Sequence, residues 1–170
     1  MNNTPINIKS LHINAAKALG EKNYDKGKIL LEKILLINPN IFEVNFNLAM
    51  INLQLGNLDS SIKYFEKAKE LNPNISRVYF NLGLVFEKKR KENLAIINYQ
   101  KAIDLDPNNF FAFYNLGSLY KDIYKMKKGE EYLKKSLDLK PDFTNAFINL
   151  FDLYDRSNQL KKYEELLEKA

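Results

Sequence analysis

The chain has 170 residues, 45% of them hydrophobic and 28% charged, with five Pro and six Gly, so it can bury a sizeable core. The complete lack of Cys excludes a disulfide framework, a thiolate metal site and a cysteine nucleophile, and a single His leaves little room for imidazole chemistry. The net charge of +5 is spread evenly, with 10 basic and 7 acidic residues up to residue 85 and 16 and 14 beyond it, so no polycationic tail announces a nucleic-acid binder. No apolar run approaches the roughly 18–20 residues of a membrane span, and residues 1–20 do not read as a signal peptide. A cytoplasmic location is therefore the default expectation.

In chain order, Thr4-Pro5 is an expected N-cap and first-turn proline for a first helix. Beyond it the prolines fall at Pro39, Pro73, Pro107 and Pro141, each interval being 34 residues. The tetrads Phe46-Asn47-Leu48-Ala49, Phe80-Asn81-Leu82-Gly83, Tyr114-Asn115-Leu116-Gly117 and Ile148-Asn149-Leu150-Phe151 keep the same interval. A fixed period of this size signals a stack of supersecondary units. Within the third unit Val78, Tyr79, Leu82, Val85 and Phe86 recur at helical spacing. After a polar break at 88–92, Leu94, Ile97, Ala102, Ile103 and Leu105 do so again. Proline then closes the second helix. The spacing predicts ten helices in antiparallel pairs, an all-α solenoid forming one domain over 1–170 with repeats at about 8–41, 42–75, 76–109, 110–143 and 144–170.

These features resemble the tetratricopeptide repeat (TPR) family. The third unit fills the family pattern with Tyr79, Leu82, Gly83, Phe86, Ala95, Tyr99, Ala102 and Pro107, and the fourth with Phe113, Leu116, Gly117, Tyr120, Gly129, Leu133, Ser136 and Pro141. In the second unit Asn45 stands where the first aromatic is expected, and the first unit is degenerate. The resemblance implies a right-handed superhelix in which the eighth and twentieth places of each repeat cross closely. Those places hold Ala15 with Gly27, Ala49 with Ser61, Gly83 with Ala95 and Gly117 with Gly129, but Phe151 with Tyr163. The fifth pair is accordingly expected to be splayed or shifted. Its last helix, about Leu160 to Lys169, has Leu160, Tyr163, Leu166 and Leu167 on an apolar side and charges on the other.

No Gly-rich phosphate loop, convergent carboxylate pair or metal-ligand cluster emerges, so neither catalysis nor a cofactor or metal is expected. The resemblance implies instead a concave groove lined by the first helix of each pair. Its sixth place gives a ladder of Asn47, Asn81, Asn115 and Asn149, whose amides can both donate to and accept from an extended peptide backbone. Such a ladder is similar to that in the repeat domains of O-linked N-acetylglucosamine transferases. Beside it lie Phe46, Phe80 and Tyr114 at the fifth place, Met50 and Leu84 at the ninth, and Arg77 at the second. The carboxylate clamp of chaperone-binding family members is not matched: His12 and Ala16, or Phe46 and Met50, stand where its first lysine and asparagine are expected. A second candidate surface is a basic ridge of Lys88, Lys89, Arg90, Lys91, Lys125, Lys127 and Lys128 in the inter-helix turns, continued by Lys161 and Lys162. The expected function is a non-catalytic module holding an extended peptide or protein segment, with nucleic acid not expected as partner. The alternatives are a self-assembling scaffold or the targeting arm of a separate enzyme.

Overall fold

The computed structural model describes residues 7–168, which contain ten α-helices and no strand. They form two compact units that divide between Asn74 and Ile75. In the first, α1 (Ile8–Gly20) pairs with α2 (Tyr24–Ile37), and α3 (Phe42–Gln54) with α4 (Leu58–Leu71). In the second, α5 (Ser76–Lys88) pairs with α6 (Glu92–Leu105), α7 (Phe110–Asp122) with α8 (Met126–Leu139), and α9 (Thr144–Arg156) with α10 (Leu160–Leu167). The five pairs follow the 34-residue period. Thr4 and Pro5 lie outside the described residues, and the cap of α1 is Asn7, whose side chain accepts from the amides of Lys9 and Ser10.

Each pair reverses through three residues, and the reversal has one geometry throughout. Lys22, Gly56, Arg90, Tyr124 and Asn158, spaced 34 apart, all have positive φ, between 53° and 76°. The amide after each donates back to the carbonyl five residues earlier, from Asn23 to Ala18, Asn57 to Asn52, Lys91 to Phe86, Lys125 to Tyr120 and Gln159 to Tyr154, at 2.8–2.9 Å. These bonds satisfy carbonyls that the helix end would otherwise leave orphaned. The second helix of each of the first four pairs ends differently. Asn38, Asn72, Asp106 and Lys140 each precede a proline, and their φ values of −140° to −147° are extended.

The apolar stripes meet inside each unit. Leu31, Ile34, Val44, Leu48 and Ile51 form the first core, and Leu133, Leu150, Leu153, Tyr154 and Leu166 gather at the end of the second. Each fully buried side chain of this size contributes about 1.5–3 kcal/mol. At the crossings the small residues bring backbones into contact. Ser61 Oγ donates to the Ala49 carbonyl at 2.8 Å, and a Cβ added to Gly129 would lie 3.2 Å from the Gly117 carbonyl oxygen. The fifth pair instead meets ring on ring, Phe151 against Tyr163 edge to face at 5.1 Å. The apolar side expected of α10 is corrected in part. Leu166 is buried and Tyr163 half-buried, but Leu160 and Leu167 are 67% and 56% exposed, because this eight-residue helix turns only part of its apolar side toward α9.

Asn45 shows how a departure from the repeat pattern is accommodated. Where an aromatic was expected, its buried amide donates to the carbonyls of Pro39 and Ile41 at 3.0 and 2.8 Å, tying the proline turn to α3.

Candidate functional site

The outward stripe of the first helix in each pair carries the expected groove residues. In the first unit Asn47 and Met50 are exposed on α3, one turn apart. With Gln54 and Ile51 of α3, Leu19 of α1 and Tyr24 of α2 they enclose an open cavity of about 220 Å³. Its lining is mostly apolar, from Leu19, Tyr24, Met50 and Ile51, with the amides of Asn47 and Gln54 among them.

In the second unit the ladder is brought onto one face but is largely engaged. Asn81 is only 8% exposed, and its amide donates to the Arg77 carbonyl of its own helix at 2.7 Å. Asn115 is half-buried beside the Tyr99 hydroxyl, whose pKa it lowers, and that hydroxyl donates to Glu87 Oε2 at 2.6 Å. Asn149 donates to the Tyr114 hydroxyl at 2.9 Å and accepts from Lys121 Nζ at 2.5 Å. The fifth-place rings are half-buried, because they pack within their own unit. Phe46 meets Phe65 at 5.5 Å, Phe80 meets Tyr99 at 6.0 Å, and Tyr114 meets Phe143 at 5.0 Å. Leu84 is half-buried and Arg77 exposed on α5.

Two polar clusters that the sequence reading did not single out hold this face together. Lys121, at the twelfth place of its repeat, is 6% exposed and reaches both Asn149 and Asp152 Oδ2 at 2.5 Å, and Asp152 also accepts from Arg156 at 2.8 Å. Burial alone would raise the Asp152 carboxyl, but the bonds from Lys121 and Arg156 outweigh it and hold the group below the usual carboxylate range. Glu87, at the twelfth place one repeat earlier, goes the other way. Burial raises its pKa, the Tyr99 hydroxyl offsets this in part, and the nearby Asp122 adds to the rise. Burial also pushes the Tyr99 hydroxyl well above the ordinary phenol range, with Glu87 reinforcing it. The available signal was position: the twelfth place continues the groove stripe, and Glu87 and Lys121 put opposite charges on it in successive repeats.

On the turn side, Lys88, Arg90, Lys91, Lys125, Lys127 and Lys128 are exposed and Lys89 is half-buried. Lys125 and Lys128 stand 6.0 and 5.2 Å from the Tyr120 ring centroid. Lys162 leaves the expected ridge to bind both Glu130 oxygens at 2.8–2.9 Å, joining α10 to α8. Among the described residues no group of three His, Asp or Glu side chains could hold a metal ion, and no helix is long and apolar enough to cross a membrane.

Paired helices at a 34-residue period, closed by prolines and crossing at small residues, define a helical-repeat protein of the solenoid class. The tetratricopeptide repeat profile matches residues 42–75 and 112–143, and a second TPR repeat profile matches 93–123. The chain belongs to the tetratricopeptide repeat family. Solved structures share its fold. MamA from Desulfovibrio magneticus RS-1, at 22% identity, covers 95% of this chain and 92% of its own with a TM-score of 0.89. PilF of Pseudomonas aeruginosa, at 20% identity, covers 95% and 74% with a TM-score of 0.80. YrrB, described as a TPR protein with an unusual peptide-binding site, covers 91% and 80% at 18% identity and a TM-score of 0.78. No curated protein sequence matches the chain.

Proposed function

We propose that this protein is a non-catalytic protein-interaction module that holds an extended peptide segment on the face of its leading helices. The observation that carries the reading is the cavity between α1 and α3. There Asn47 and Gln54 offer amide groups beside the apolar lining of Leu19, Tyr24, Met50 and Ile51. An extended chain placed there satisfies its backbone on the amides and buries one hydrophobic side chain in the cavity. The peptide-binding site named for YrrB, a protein of the same fold, supports this kind of ligand. Asn81 and Asn149 serve first to position the face of the second unit, because their amides already have internal partners.

Selection of random peptides against the full chain tests the proposal. Selected sequences are expected to carry one large apolar residue within an extended segment. Their affinity is expected to fall about tenfold or more with Met50→Glu and about fivefold with Asn47→Ala, the loss of one or two hydrogen bonds. Peptides that bind both variants as well as the wild type would place the site elsewhere. A second reading, self-assembly, is favoured by one observation: Leu160 and Leu167 stand exposed on the terminal helix α10.

A further inference from the structure

The three inter-helix turns of the second unit share one edge. The leading helices run parallel: Ser76 at the start of α5 donates to the Ala102 carbonyl near the end of α6, Ser136 near the end of α8 donates to the Phe110 carbonyl at the start of α7, and residues 106–109 and 140–143 join each such end directly to the start of the next leading helix. Each turn therefore emerges at the same end of its pair. At matching positions of the repeat, residues 88–94, 122–128 and 156–162 hold ten Lys or Arg, of which Lys162 is turned to Glu130, against two acidic residues, Glu92 and Asp122. The proline turns at the opposite end, 106–109 and 140–143, hold one Lys against two Asp. The same positions of the first unit, 20–26 and 54–60, hold two Lys against one Glu and two Asp. General richness in lysine does not account for a charge confined to one edge of one unit.

The tips of that edge are apolar. Tyr124 is 79% exposed with its backbone at φ 59°, the one aromatic among the five left-handed turn residues, where a bulky side chain costs about 1–2 kcal/mol relative to glycine. It borders an open pocket of about 410 Å³ shared with Lys125, Met126, Lys127 and Lys128. Leu160 is likewise exposed at the next turn. A tyrosine and a leucine projecting from a field of lysines match the boundary of an anionic bilayer. There the ring sits at headgroup depth and each nearby cation adds attraction to acidic lipid. Single-stranded nucleic acid would call for several stacking rings in sequence, and this edge offers one.

We propose that the turn edge of the second unit is a docking surface for anionic membrane, with Lys88, Arg90, Lys91, Lys125, Lys127 and Lys128 facing the headgroups and Tyr124 entering the interface. It is separate from the peptide face and does not depend on it. Co-sedimentation of the full chain with vesicles of phosphatidylcholine, alone or with one-third phosphatidylserine, at physiological ionic strength tests it. The chain is expected to sediment only with the anionic vesicles. Combining Lys88→Glu, Lys125→Glu and Lys127→Glu should lower the bound-to-free ratio at least about tenfold, and Tyr124→Ser about threefold at constant charge. Lys17→Glu, Lys26→Glu and Lys33→Glu together make the same charge change on the first unit and should leave the ratio within about twofold. Unchanged far-ultraviolet circular dichroism shows that each variant is folded. Equal binding to neutral vesicles, an equal loss in the first-unit variant, or binding to a single-stranded oligonucleotide with none to vesicles would overturn the proposal.

Discussion

At the scale of single residues, the turn position with positive φ shows most directly what the local sequence tolerates. Only Gly56 of the five occupies it without a Cβ, so Gly56→Ala should destabilise by about 1 kcal/mol. Tyr124→Gly should stabilise by about 0.5–1 kcal/mol, since the relief of left-handed strain exceeds the entropy that glycine returns to the unfolded chain. Urea denaturation of both variants measures the pair. Glu87 gives a pH prediction of definite sign. Its folded pKa is raised above the unfolded value, first by burial and then by Asp122. Stability linked to it is thus fully present below the unfolded carboxylate range and declines as pH rises through the folded value. Glu87→Gln, whose amide oxygen can still accept from Tyr99, should therefore be more stable than wild type at pH 7. It should lose that advantage below about pH 4.

At the scale of the element, the pairs are set by what stands at their crossing. A Cβ on Gly117 would lie 2.8 Å from the Leu133 amide nitrogen and 3.1 Å from the Gly129 carbonyl oxygen. Both obstacles are backbone, so Gly117→Ala must push α7 and α8 apart, at about 1–3 kcal/mol. Gly20, at the end of α1, has nothing within 4 Å of such a carbon, and Gly20→Ala should be neutral or stabilising by up to about 1 kcal/mol. Thermal unfolding of the two variants separates the packing role from propensity. The aromatic pair of the last crossing uses a different device. Hydrogen bonds to Glu130 from Lys162 of α10 and Tyr154 of α9 secure both helices to α8, and the Phe151 and Tyr163 rings fill the gap between them.

At the scale of the whole molecule, the repeat leaves more surface than one chain can cover, and its faces differ in chemistry. The second unit combines a polar, internally bonded leading-helix face with a basic turn edge, while the first offers an open apolar cavity. A module that binds through such faces should remain a single chain. Light scattering is expected to return the 19.9 kDa mass at every concentration. A mass that rises with concentration, and falls again with Leu160→Ser and Leu167→Ser, would move the reading to self-assembly.

How much of this was legible before folding follows from the range of each interaction. Helix pairing, the 34-residue period, the closing prolines and the small crossing residues depend on spacing along the chain, because proline geometry and side-chain size act on neighbours a few residues away. Asn45, Asn81 and Asn149 were equally visible as amides at fixed places. What each does depended on which carbonyl, hydroxyl or ammonium came within 3 Å of it, from Pro39, Arg77, Tyr114 or Lys121. Lys162 and Leu160, read respectively as part of the ridge and of the apolar side of the last helix, ended as an internal partner of Glu130 and an exposed tip. Local periodicity determined the elements and their faces. Desolvation and side-chain hydrogen bonding arise only on packing, whether to a carbonyl four to six residues back, as at Asn45 and Asn81, or to groups 28–35 positions away, as at Asn149, and they decided which polar groups hold the fold and which stand at its surface.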